Sequence, residues 1–321
     1  MTTTTERNRF RIRTYRPGDE TAQVEIYNAA TAALPGFKPA TAEEVARRYR
    51  AADFDPGSKL YAESEGRMVG YISFSPNGRI SVPWCLAEAA EAREPLMNAA
   101  LAAMKQRRSS RAWAAYRADW TEVRTLLELC GFRLAHEVVN FVAALAQLAG
   151  EAVAPPCCIE PLHRTDLEAV YAIDPTAFGV TSPDELGAAW CDGPYLAADS
   201  VFVLRQSPAG EIVAAGLAVT SSQYADPTKI DSAMPCFRLG AIGTESERTK
   251  RVNGLFSYVA QTGTENHRFA RLLLGEACRR FQRVGILHIA AQCRSDRPVE
   301  LALFDGPFQR QKSFPIFIRD L

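Results

Sequence analysis

The sequence predicts two α/β domains in tandem, each an α+β mixed sheet with helices on both faces. Two observations carry this. The chain repeats itself in order, and each repeat alternates strand-like with helix-like segments. The bulk numbers agree: 321 residues are more than one domain ordinarily holds. With 47% apolar and 23% charged residues, the chain can bury a sizeable core.

The first pair of matching segments is "IRTYRPGDETAQVEIY" from Ile12 and "IEPLHRTDLEAVYAI" from Ile159. At an offset of 147, Ile12 falls on Ile159, Asp19 on Asp166, Ala22 on Ala169 and Ile26 on Ile173. Each reads as a strand, a turn, then a helix opened by Asp, a residue suited to a helix N-terminus. "LYAESEGRMVGYISF" and "FVLRQSPAGEIVAAGLAV" both read as strand, Gly-containing turn, strand. "AAYRADWTEVRTLLELCGF" and "AAQCRSDRPVELALFDGPF" match at an offset of 176, with Val123 on Val299, Leu127 on Leu303 and Phe132 on Phe308. The offset grows because the second copy holds an insertion near residues 220–250, rich in turn formers. The expected domains are 1–150 and 157–321, with Gly150, Pro155 and Pro156 in the linker.

Charge narrows the function. Lys plus Arg and Asp plus Glu both number 37, so no net field draws nucleic acid or an anionic membrane. The opening "MTTTTERNRF" lacks the apolar core of a signal peptide, and no apolar run is long enough to span a bilayer, so a cytoplasmic protein is expected. Cys85, Cys130, Cys157, Cys158, Cys191, Cys236, Cys278 and Cys293 form no C-x-x-C pair and sit mostly among apolar neighbours. They read as reduced thiols, with no metal site.

"QTGTENHRFARLLLGEACRRF", residues 261–281, is a polar turn followed by a helix with Leu273, Leu274, Ala277, Cys278 and Phe281 on one stripe. It is either an ordinary strand-to-helix turn or a loop whose amides hold an anion at the helix start.

Taken in order, "IRTYRPGDE", "GRMVGYISF" and the helix "TEVRTLLELCGF" with its Gly-Phe turn resemble the GNAT superfamily of acyl-CoA-dependent N-acyltransferases in a tandem two-domain form. The resemblance runs from about residue 9 to 321. It implies that the strand "GLFSYVA" leads into a loop of pattern Q/R-x-x-G-x-G/A whose amides hold the pyrophosphate of acetyl-CoA or another acyl-CoA, the co-substrate. The implied binding residues are Val259, Ala260, Gln261, Thr262, Gly263, Thr264, Asn266, His267, Arg268, Phe269 and Ala270, with the amides of His267 to Ala270 aimed at the anion. Two residues depart from the pattern: Glu265 replaces Gln or Arg, and Arg268 replaces Gly. The corresponding stretch of the first copy, residues 82–101, has no glycine and carries Glu88, Glu91 and Glu94. The first domain therefore reads as a degenerate coenzyme site.

Acyl transfer to an amine needs a base and a donor for the thioester oxygen. Candidate catalytic residues are Glu245, Glu247 and Tyr258. The family's usual tyrosine acid would fall near Leu303 and Phe304, which have no hydroxyl. His288, in an apolar strand, reads as a core histidine, and the four tryptophans read as packing residues. The resemblance implies N-acyl transfer to an amine of a small molecule or peptide. The alternative is a catalytically inactive ligand-binding or regulatory protein of the same descent.

Overall fold

A computed structural model of the chain describes residues 9–321, except 38, 53, 149–152, 179, 193–195 and 221–253. The first repeat opens with β1 (Arg11–Thr14), followed by α1 (Glu20–Thr31) and α2 (Ala42–Tyr49). Helix α2 starts with a full capping box, in which Thr41 and Glu44 satisfy each other's backbone N–H. β2 (Lys59–Ser64) and β3 (Arg67–Ser73) form a hairpin around Glu65 and Gly66, both at positive φ. Then come β4 (Trp84–Cys85), α3 (Arg93–Gln106), β5 (Arg111–Ala115), α4 (Thr121–Leu129) and β6 (Arg133–Ala144). Among the described residues the second repeat follows the same order: β7 (Cys158–Pro161), α5 (Leu167–Ile173), α6 (Pro183–Trp190), β8 (Val201–Arg205), β9 (Ile212–Val219), β10 (Gly254–Ala260), α7 (Asn266–Arg283), β11 (His288–Arg294), α8 (Pro298–Phe304) and β12 (Gln309–Asp320).

The chain divides into two compact units, one of residues Met1–Glu137 with Phe314–Leu321 and the other of Val138–Ser313. This differs from the sequence division at 150 and 157. The final strand of each repeat gives its second half to the unit built mainly by the other repeat. In unit 1, Ile316–Asp320 of β12 pairs antiparallel with β5. In unit 2, Val138–Ala144 of β6 pairs antiparallel with the whole of β11.

Within unit 1 the strands run β1-β2-β3-β4, all antiparallel. Within unit 2 the order is β7-β8-β9-β10-β11-β6, antiparallel throughout except for the parallel pair β10–β11. Every position of β9 is buried, as a strand covered on both faces requires. On one face Leu273, Leu274, Ala277 and Phe281 of α7 and Phe304 of α8 pack over Phe141 and Phe256. On the other, Val170 of α5 and Leu186 and Trp190 of α6 cover Val203, Leu217 and Ala290. Gly216 makes room for this core, since a Cβ there would lie 2.5 Å from the Phe202 ring.

The two units share a partly buried ionic frame with its charges exchanged. In unit 1, Arg13 on β1 binds Asp19 at the head of α1 and Glu63 on β2. In unit 2, Arg205 on β8 binds Asp166 ahead of α5 and Glu160 on β7. Glu160 takes the place of Arg13, and Arg205 that of Glu63, as the strand registers show. Both aspartates also accept a backbone N–H three residues earlier, from Arg16 and His163. Burial pushes the Asp19 carboxyl up, but the hydrogen bonds from Arg13 and Arg16 outweigh it and leave it below the ordinary range.

Candidate functional site

β10 and β11 pair only at their beginnings, through Gly254–Phe256 with Ile289–Ala291. β10 then stays on β9 as far as Ala260, and β11 stays on β6 as far as Arg294. The parallel strands therefore part after Phe256 and Ala291, and their facing edges lose the ladder that would satisfy their N–H and C=O groups. The gap opens toward the carboxyl ends of the strands, where open α/β sheets receive ligands. Helix α7 begins there.

The loop between β10 and α7 is pinned at both ends. The Gln261 N–H donates to the Val213 carbonyl at 2.9 Å, and its side chain donates to Glu211 at 2.7 Å. The Asn266 side-chain amide donates to the carbonyls of Ala260 and Gln261 at 3.1 and 3.0 Å, tying the helix start back onto the strand. Its buried Oδ1 has no hydrogen-bond partner among the described residues. Gly263 sits at φ +137°, with open space where a Cβ would be, so the backbone conformation is what requires glycine. Thr262, Gly263, Thr264 and His267 are exposed at the N-terminus of an 18-residue helix, whose dipole favours an anion.

The two departures from the expected pattern meet each other: Arg268 donates to Glu265 at 2.7 Å, and both side chains are more than half exposed. Their charges offset one another at the surface. Phe269 and Ala270 turn into the core, and the Phe269 N–H closes the first helical turn on the Glu265 carbonyl. The Val259 and Ala260 side chains are likewise core. Glu245 and Glu247 lie outside the described residues.

Tyr258 lies on β10 just past the last residue paired to β11. Its ring stacks on Phe256, with centroids 5.9 Å apart, and its buried hydroxyl has no partner among the described residues. Burial, reinforced by the charge of Glu300, pushes the phenol far above its ordinary range, so it keeps its proton. Leu303 and Phe304 are fully in the core, and α8 offers no hydroxyl there. It offers instead Glu300, with Arg297 at its head and Cys293 on β11 alongside. Sequence reading missed this group, because its other member, Asp174, is 123 residues away in the chain. His288 opens β11 and is exposed, where the sequence suggested a core position: it stands at the strand end, outside the covered stretch.

Unit 1 repeats the geometry and closes it. Residues 78–80 pair in parallel with β5 through Trp113, and the strand then leaves to join β3. The Tyr116 hydroxyl accepts the Val82 N–H at 2.8 Å, on the edge left behind. Its ring stacks on Trp120 and meets Trp84 edge-on, filling the space between them. Burial pushes the Tyr116 phenol up to about 12, with the Val82 N–H partly offsetting it. The turn into α3 is a short 3-10 segment, Ala87–Ala92, with Glu88 in its first turn and no glycine.

No family model and no curated protein matches the chain. Solved structures do. The chain is similar to a GCN5-related N-acetyltransferase from Sphaerobacter thermophilus at 14% identity and TM-score 0.58, over 98% of this chain and 97% of that one. It is similar to a GCN5-related glucosamine N-acetyltransferase region of a fungal multi-domain GH3 β-N-acetylglucosaminidase at 12% identity and TM-score 0.63, spanning 38% of that longer protein. A tandem GNAT protein from the clavulanic acid biosynthesis pathway matches at 12% identity and TM-score 0.51, over 97% of this chain and 98% of that one. The chain has the fold of the GNAT N-acetyltransferases, in its tandem arrangement. Among the described residues, no helix is long and apolar enough to cross a membrane.

Proposed function

We propose that the chain is a cytoplasmic N-acyltransferase that moves an acyl group, acetyl in the simplest case, from coenzyme A to an amine of a small molecule or peptide. The observation that supports this best is the parting of β10 from β11 beside the start of α7. An extended arm bearing amides, as in coenzyme A, can add to a bare strand edge as another strand would. The helix N-terminus beyond can receive a pyrophosphate. Residues 259–270 then hold the coenzyme, chiefly through the exposed loop Thr262–Thr264 and the leading amides of α7. Tyr258, which keeps its proton, serves as a hydrogen-bond donor toward the thioester oxygen. Only unit 2 binds coenzyme, because Tyr116 occupies the matching edge in unit 1.

A second reading, a ligand-binding protein without turnover, draws on the core positions of Leu303 and Phe304 where the family's acid is expected. Calorimetric titration of acetyl-CoA into the full chain is expected to give one site. Gly263→Val, which forces a β-branched residue to positive φ, is expected to weaken it about tenfold or more. No binding at millimolar ligand, or binding untouched by that substitution, overturns the assignment. Turnover with a panel of amines separates the enzyme from the binding protein.

A further inference from the structure

The turn from β11 into α8 gathers a polar group that the coenzyme loop does not use. Arg297, the residue just before α8, reaches Asp174 Oδ2 at 2.5 Å, Glu300 Oε1 at 3.1 Å and Thr176 Oγ1 at 3.0 Å. Asp174 also accepts the Thr176 N–H and hydroxyl, at 3.0 and 2.6 Å. One oxygen of Glu300 is thus held by a guanidinium that is itself locked. Among the described residues the other, Oε2, meets only the Cys293 thiol at 3.7 Å, a weak donor. Phe304, one turn further along α8, lies 6.4 Å from the Tyr258 ring. Tyr258, whose hydroxyl has no partner among the described residues, also feels the charge of Glu300, so both stand near the place where β10 and β11 separate.

We infer that Glu300 is the catalytic proton carrier of this site, and that Arg297 and Asp174 are the residues that position it. The inference rests on the acyl-transfer reading above. The amine nitrogen attacks the thioester carbonyl carbon, the C=O π pair moves onto oxygen, and the new C–N bond leaves an ammonium centre beside the oxyanion. Glu300 Oε2 takes one N–H proton, whose bonding pair stays on nitrogen. The oxyanion pair then re-forms the C=O bond, the C–S bond breaks with its electron pair leaving on sulfur, and the thiolate recovers that proton from the Glu300 carboxylic acid. One carboxyl thus does both transfers, which suits a helix that lacks the usual hydroxyl acid.

The surrounding charges suit that role. Burial pushes the Glu300 carboxyl up, Arg297 and the Cys293 thiol draw it partly back, and Asp174 adds to the rise. Asp174 moves the other way: burial pushes it up, but hydrogen bonds from Thr176 and Arg297 outweigh this and hold it low, a fixed counter-charge. Burial and the charge of Glu300 push the Cys293 thiol far up, so it stays a donor and not a nucleophile. Of the two neighbouring carboxyls, Glu300 is thus the one set to exchange a proton, and Asp174 the one held charged.

Glu300 acts as base when deprotonated, so kcat/KM should rise with pH through a value above the ordinary Glu range. The test measures acetyl-CoA binding by calorimetry, and turnover against pH with a panel of aliphatic, sugar and amino-acid amines, on the full chain. Glu300→Gln should keep acetyl-CoA affinity within about twofold, lose about a hundredfold or more in kcat/KM and lose the acidic limb. Arg297→Gln removes the cation that lowers Glu300, so its acidic limb should move to higher pH, a shift that a purely structural role does not cause. Glu300→Asp should retain an acidic limb, which separates lost chemistry from lost folding. An unchanged limb in Glu300→Gln overturns the inference alone. Coenzyme binding without turnover of any amine also overturns it, and leaves the coenzyme site standing. Absence of acetyl-CoA binding removes the acyl-transfer reading and this inference with it.

Discussion

Unit 1 and unit 2 part the same pair of strands, but they furnish the parted edges differently. In unit 1 the Tyr116 hydroxyl holds the Val82 N–H, and Trp84 and Trp120 pack around its ring. In unit 2 the position matching Tyr116 is Gln292, whose amide donates to Asn140 Oδ1 at 2.6 Å, and the opposite strand carries Tyr258, whose buried hydroxyl has no partner among the described residues. The strand divergence belongs to the architecture, while the residues set along it differ between the units. The ionic frame teaches the same separation in reverse. Its residue identities have changed places between the units, yet one arginine still holds two carboxylates.

The largest effect should come from that frame. Arg13→Glu sets three carboxylates together in a half-buried place and should cost about 3–5 kcal/mol. Adding Glu63→Arg recreates the arrangement of unit 2 and should restore stability to within about 1 kcal/mol of the parent. Hydrogen exchange of the β1 and β2 amides reads unit 1 by itself. A double variant no better than the single would break the equivalence. Next in size, Tyr116→Phe leaves the Val82 N–H buried and unpaired, at a cost of about 1–2 kcal/mol, visible as faster exchange of that amide. An unchanged Val82 amide would mean that the plug is packing alone.

Acid should weaken both units. The folded carboxyls of Asp19 and Asp174 lie below their ordinary value of 3.8. Their contribution is therefore complete above that value and is lost as pH falls through the lower folded ones. Asp19→Asn should reduce the acid dependence of β1 and β2 exchange, with Glu20 and Asp55 keeping the rest, while leaving that of unit 2. The smallest effect is expected at Arg268→Ala. It breaks an exposed pair with Glu265 and should change stability by less than about 0.5 kcal/mol. A loss of acetyl-CoA affinity in the same variant would give Arg268 a phosphate role.

Much of the frame was legible because it is local. Asp19 and Asp166 open their helices at a constant offset, and the Glu65–Gly66 turn announces a hairpin. The unit boundary was not. A strand such as β6 or β12 has the same alternation whichever sheet receives it, so the exchange leaves no mark in the residues. The loop at Gly263 could be read from its glycine and the helical stripe that follows. The contacts of Glu300 with Arg297 and Cys293 gave no signal, since Glu, Arg and Cys on a short helix and a strand look like any solvated turn. Asp174 completes that group only through the folded chain.

The exchange of final strands sets an order of assembly. As the chain emerges from the ribosome, the residues that build most of unit 1 come first, yet β5 lacks its antiparallel neighbour until Phe314–Leu321 has been made. The unit begun first is therefore finished last. Removing residues 314–321 should loosen a sheet edge formed by residues 111–115, some two hundred positions upstream in the chain.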